Sequence, residues 1–155
     1  MKVERELETL GLKLPDPPSP AANYVPAVRV GSLLFLSGHV PRLGNEIKFK
    51  GKVGRDLTLE QGYEAARLVM LNCLATIKHS VGDLDRVERI VKLLGFVNAS
   101  DGFLETPKVL NGASDLLVQL YGEKGRHARS AIGTSTLPFD MAVEIEMIVQ
   151  LKEGA

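Results

Sequence analysis

From Met141 to Leu151 the chain alternates. Met141, Val143, Ile145, Met147, Val149 and Leu151 fall on one face, and Ala142, Glu144, Glu146 and Gln150 on the other. Period-two patterning of this length is a half-buried strand, with one face against a core and one toward water. Helices that cover such a sheet belong on its apolar side.

The remaining pattern supplies those helices. Thr58-Leu59-Glu60-Gln61 has the form of a capping box, and Ala65, Leu68, Val69, Asn72, Cys73, Thr76 and Ile77 follow at helical spacing until Gly82-Asp83. A second helix opens near Ser100-Asp101 or Thr106, carries Pro107 in its first turn, and runs to about Tyr121. Asn111 is polar in mid-helix, either solvent-exposed or lining a site. A short helix over about residues 3–11 precedes Leu14-Pro15-Asp16-Pro17-Pro18-Ser19-Pro20, whose four prolines impose an extended segment laid over the body.

Strands fill the gaps. Val28-Val30 and Leu33-Ser37 flank a Gly31-Ser32 turn, Ile47-Lys48-Phe49 reads as a third strand, and Val87-Asn98 as a central strand buried on both faces. The helix between strands implies a right-handed parallel unit. Leu137-Pro138-Phe139-Asp140 reads as the turn of an antiparallel hairpin that brings Arg129 near Glu144 or Glu146. The order is β-β-(β)-α-β-α-β-β: an α+β domain with a single mixed sheet backed by two helices on one face.

The totals bound the function. Lys+Arg and Asp+Glu are both 19 in 155 residues, so net charge is zero, which argues against a nucleic-acid partner and suits self-association. The single cysteine, Cys73, sits in a helical apolar pattern and fits a buried core residue in a reducing cytoplasm. No apolar run reaches the ~18 residues of a membrane span, and residues 1–6 lack a signal-peptide apolar stretch. Gly51-Lys52-Val53-Gly54 lacks the order of a phosphate loop.

Arg129 is set among small residues, Ala128, Ser130 and Ala131. A guanidinium there offers a planar carboxylate a rigid fork of donors. An Arg facing a Glu across strands is also ordinarily a surface ion pair worth ~0.2–1 kcal/mol. Tyr24, just before a strand, is placed either to reach a site edge or to pack on the surface. His39, at a strand end, has no metal-ligand companions and is read as a site-wall residue. Nothing calls for a metal or an organic cofactor.

With Ala22-Asn23-Tyr24-Val25, Phe35-Leu36-Ser37-Gly38-His39-Val40-Pro41, Asn111, Arg129-Ser130-Ala131, Leu137-Pro138 and Val143-Glu144-Ile145-Glu146, this element order resembles the RidA family (YjgF, L-PSP endoribonuclease-like) over about residues 18–151. The resemblance implies one domain over 1–155 with 1–18 as an N-terminal extension. It also implies a homotrimer with clefts between subunits, and hydrolysis of reactive enamine and imine acids such as 2-aminoacrylate to 2-oxo acids and ammonia. By position, Arg129 would clamp the carboxylate with the Ala131 N–H, and Glu144 would orient water. Tyr24 and Asn111 would line the cleft, with Ser37 and His39 at its wall. Glutamine is frequent at the position of His39, and cysteine at that of Ala131. Carboxylate binding without catalysis, and the ribonuclease or translation-inhibitor activity of the family name, are the rival readings; zero net charge disfavours the latter.

Overall fold

A computed structural model describes residues 1–19 and 22–155; Pro20, the last proline of the extended segment, lies outside them with Ala21. The described residues form helices α1 (Lys2–Thr9), α2 (Leu59–Val81) and α3 (Thr106–Tyr121). The strands are β1 (Ala27–Val30), β2 (Leu33–His39), β3 (Arg42–Leu43), β4 (Glu46–Ile47), β5 (Val87–Asn98), β6 (Ala128–Thr134) and β7 (Val143–Leu151). Five strands make one sheet in the order β1-β2-β7-β5-β6, and β3 with β4 forms a separate ribbon. Only β5 and β6 pair in parallel, so the sheet is mixed.

The alternation of β7 is realised as read. Val143, Ile145, Met147, Val149 and Leu151 are buried against α2 and α3, and Glu144 and Glu146 point the other way. Met70, Leu74 and Ile77 of α2 join Leu110 and Leu117 of α3 in that core. Burying each such side chain contributes about 1.5–3 kcal/mol. α2 begins at a complete capping box: Gln61 N–H donates to Thr58 Oγ1 at 3.1 Å and Thr58 N–H to Gln61 Oε1 at 2.9 Å. α3 crosses α2 so closely that a Cβ on Gly112 would lie 2.0 Å from the Tyr63 carbonyl oxygen.

α1 is capped from a distance. Asp85 accepts from the backbone N–H groups of Lys2 and Val3, at 2.6 and 2.9 Å, and from the Met1 ammonium. Val3 and Leu7 are buried on the other side of this helix.

The expected hairpin of Arg129 with the final strand does not form. β5 lies between β6 and β7, pairing parallel with one and antiparallel with the other. Leu137–Asp140, where Phe139 and Asp140 both take left-handed backbone (φ 57°), does not close a hairpin, because the strand after it pairs with β2 and β5 and not with β6. β7 instead satisfies both its edges, with β2 and β5. The parallel units are also arranged differently from the simple crossover. β5-α3-β6 joins neighbours, whereas β2 and β5, joined through α2, are held apart by β7.

Two smaller expectations change as well. The third strand is only Glu46–Ile47, in the ribbon, because Phe49 turns at φ 57°. β5 is buried on one face only, with Leu94 and Phe96 half-buried on the other.

Candidate functional site

Glu144 stands on the helix-free face of the sheet, opposite the end of β2. There the β2–β7 register slips by one residue between Leu36 and His39, a bulge at Ser37-Gly38. The bulge aims the Gly38 backbone at Glu144. A Cβ on Gly38 would come within 2.4 Å of Glu144 Oε1, so only glycine lets the carboxylate lie there. Burial raises the Glu144 pKa above the usual carboxylate range, and the Glu146 charge adds to it. No group among the described residues hydrogen-bonds this carboxylate.

Ser37 fastens the segment before β1. Its Oγ donates to the Val25 carbonyl at 2.6 Å and its N–H to the Pro26 carbonyl at 2.9 Å. Tyr24 is thereby held, half-exposed, at the rim of a cavity of about 140 Å³ that Ser37, Gly38, Arg42, Phe139 and Glu144 also line. Phe139 is brought to this mouth by a network under its loop. There Lys52 Nζ donates to Asn98 Oδ1 at 3.0 Å, and Asn98 Nδ2 to Asp140 Oδ1 at 3.1 Å.

His39 forms part of the cavity wall, and its ring is committed elsewhere. It is buried, with Nδ1 2.6 Å from the Ser37 carbonyl and Nε2 2.7 Å from Thr76 Oγ1. A carbonyl only accepts, so Nδ1 carries the proton and Nε2 accepts from Thr76. Burial lowers its pKa, which keeps the ring neutral.

Arg129, Asn111 and Ala131 gather at a second place, on edge strand β6 and the overlying α3. Arg129 Nη1 donates to Asn111 Oδ1 at 2.9 Å and to Ser114 Oγ at 3.0 Å. Ser114 Oγ lies 2.9 Å from His127 Nε2, and His127 Nδ1 lies 2.7 Å from the Gly125 carbonyl. The donors run in one direction: His127 Nδ1–H to Gly125, Ser114 O–H to His127, Arg129 N–H to Ser114. Burial, and then the Arg129 charge, lower the His127 pKa and favour that neutral state. The Ala131 carbonyl accepts from Thr106 Oγ1 at 3.1 Å. Asn111 is therefore a guanidinium holder rather than a solvated helix residue.

Ser114 and His127 escaped the sequence reading. Their signals were spacing: Ser114 lies one turn beyond Asn111, and His127 two residues before Arg129, just ahead of β6.

The two clusters do not meet within one chain. Arg129 pairs with Leu93 and Glu144 with Phe96 on the same strand, three residues apart. An odd offset puts the side chains on opposite faces, and two strand spacings with three residues of rise separate them by roughly 14 Å. The contact expected between Arg129 and Glu144 or Glu146 is thus absent among the described residues.

A sheet of this order with helices on one side only is the architecture of the chorismate-mutase-like α+β proteins. The profile of the family described as "YjgF/chorismate mutase-like, putative endoribonuclease" matches residues 4–151. Protein TCP17 of Trypanosoma cruzi is 44% identical over 97% of this chain and 94% of its own. The crystal structure of Atu1372 from Agrobacterium tumefaciens, a protein described as of unknown function, is 42% identical. It covers 97% of this chain and 93% of its own, with a TM-score of 0.92. A Shewanella oneidensis structure described as a "putative endoribonuclease" is 37% identical, covering 96% of this chain and 99% of its own at a TM-score of 0.93. The chain belongs to the YjgF family, the group that the sequence resembles under its RidA name.

Proposed function

We propose that the protein is an enamine/imine deaminase, hydrolysing reactive 2-imino acids to 2-oxo acids and ammonia in a homotrimer. The Arg129 cluster of one copy would face the Glu144 cavity of the next. The observation that carries this reading is the company Arg129 keeps. Neutral oxygens of Asn111 and Ser114 orient it, and no carboxylate among the described residues neutralises it. A structural ion pair would have used a Glu; a substrate clamp needs its charge free. The helix-free face supports association, with Val28, Phe35 and Ile132 exposed on it and Leu94 and Phe96 half-buried.

In this mechanism Arg129 grips the carboxylate and fixes the imine carbon over Glu144. Glu144 accepts a proton from water as the oxygen adds to that carbon. It returns that proton to nitrogen to give a carbinolamine, then passes the hydroxyl proton to the same nitrogen as the C–N bond breaks, so that ammonia leaves and the C=O forms. A carboxylate with a raised pKa is suited to both transfers.

The test generates 2-aminoacrylate in solution and measures 2-oxo acid and ammonia release with wild type and Arg129→Ala. Acceleration that disappears in the variant supports the reading. Tight 2-oxo acid binding without acceleration replaces it with a carboxylate-binding protein. RNA cleavage lost in Arg129→Ala replaces it with the ribonuclease of the family description.

A further inference from the structure

The Glu144 cavity has a guanidinium of its own in its wall, that of Arg42. Arg42 sits at the start of the β3–β4 ribbon, pairing with Ile47. Its backbone is fixed from the core side: Asn72 of α2, 2% exposed, donates from Nδ2 to the Arg42 carbonyl at 2.9 Å. Arg42 N–H donates to the Val40 carbonyl at 2.9 Å. The side chain is not so provided for. Its Nε is buried with no acceptor among the described residues. A buried donor left unpaired is costly, and guanidinium donors are ordinarily matched to carboxylates or carbonyls.

The surroundings favour an anion. Arg42 and Phe139 line both the Glu144 cavity and an adjoining basin of about 500 Å³, which Asn45, Glu46, Ile47 and Lys50 complete. Glu46 is already paired with Lys48 at 2.9 Å. Arg42 and Lys50 have no carboxylate within ion-pair distance among the described residues. The basin therefore offers two free cations beside the reacting carboxylate.

We propose that Arg42 is a specificity residue for a second carboxylate at the far end of the substrate, making 2-imino dicarboxylic acids the preferred class. This rests on the deaminase reading for its chemistry. Imino acids derive from amino acids, whose anionic side chains are carboxylates, so a carboxylate is the anion a guanidinium in this wall would meet. Glu144 would work on the imine carbon between the two clamped ends. A site whose buried donors expect an anion rejects analogues that lack it.

The experiment compares imines generated by an amino-acid oxidase from glutamate and from alanine, with wild type, Arg42→Met and Arg42→Lys. Wild type is expected to favour the dicarboxylic imine at least tenfold in kcat/KM. Arg42→Met should lower that ratio about tenfold or more, and Arg42→Lys should fall between. Calorimetry of 2-oxoglutarate and 2-oxobutyrate provides an arm independent of turnover, with the same ordering expected in Kd. If neither imine is hydrolysed but 2-oxoglutarate binds through Arg42, the deaminase reading fails and the dicarboxylate site stands. Equal ratios in wild type and Arg42→Met, or a loss of melting temperature alone, overturn the proposal and make Arg42 a structural residue.

Discussion

Arg129 and Glu144 point away from each other through the thickness of one sheet. The first sits over Leu93 on the helix-covered side, the second beside Phe96 on the bare side. If the working site joins two chains, each residue serves a different cleft. Arg129→Ala and Glu144→Gln would each be inactive alone. Unfolded together in equal amounts and refolded, they would regain about a quarter of wild-type turnover, because one cleft in four receives both intact halves. No recovery in a mixed oligomer, resolved by mass, would refute a shared cleft.

Glu144 carries a stability cost with a definite pH dependence. Its pKa is raised in the folded protein above the ordinary 4.5, by burial and then by Glu146. The folded state thus holds the proton more tightly, so stability falls as pH climbs from 4.5 through the folded value. Glu144→Gln should melt at or above the wild-type temperature at pH 7.5, and the gap should close by pH 4. Thermal melts at both pH values check this; a variant less stable at pH 7.5 contradicts it.

If Glu144 is the catalytic base proposed above, Gly38 separates catalysis from stability. The hydrogen it carries in place of a Cβ leaves room for Glu144 Oε1, which an added Cβ would meet at 2.4 Å. The obstructed atom is the end of a flexible side chain, so Gly38→Ala should cost less than about 1 kcal/mol of folding. Displacing the carboxylate by about 1 Å should still lower kcat about a hundredfold. Steady-state kinetics beside urea unfolding separates the two effects.

Gly112 shows the reverse. An alanine there would meet the Tyr63 carbonyl oxygen at 2.0 Å and Arg67 N at 3.2 Å, both backbone atoms that cannot swing aside. The better helix propensity of alanine returns only about 1 kcal/mol. Overpacking should outweigh it, for a net loss of about 2 kcal/mol or more in chemical denaturation.

Asp85 makes the docking of α1 acid-sensitive. Partial burial pushes its carboxyl up, but the Met1 ammonium and the N–H groups of Lys2 and Val3 outweigh that and hold it down at about 2, below the ordinary 3.8. The stabilisation is therefore complete above 3.8 and lost as pH falls toward 2. Asp85→Ala should lose about 1 kcal/mol at pH 7, the value of a helix cap. Its deficit should disappear by pH 2, which unfolding curves at the two pH values will test.

What the sequence made legible was local. The capping box at Thr58 and Gln61, the stripe of α2 and the alternation of β7 each depend on neighbours a few residues apart, and each stands where it was read. Strand partnership was not legible. The four residues Leu137–Asp140 look like a turn between neighbours, yet β7 was free to choose any edge of matching length and took two distant ones. The site shared that fate. Tyr24, Ser37, His39 and Glu144 do converge, and so do Arg129, Ala131 and Asn111, but as separate groups. Asn111 and Ser114 become guanidinium acceptors only because the β5-α3-β6 crossover lays α3 over β6, and Arg42 enters only because the ribbon folds against the end of β2.

The placement of β7 also sets the order in which the molecule can be completed. It is the last strand made, yet it forms the middle of the sheet. Before it arrives, β1-β2 and β5-β6 are two pairs with raw inner edges and no common neighbour. A nascent chain halted before residue 143 should stay open to protease and prone to aggregate, whatever its helices have achieved. Acquisition of the native state should then be a single late step, slowed by the long loop that this strand must close.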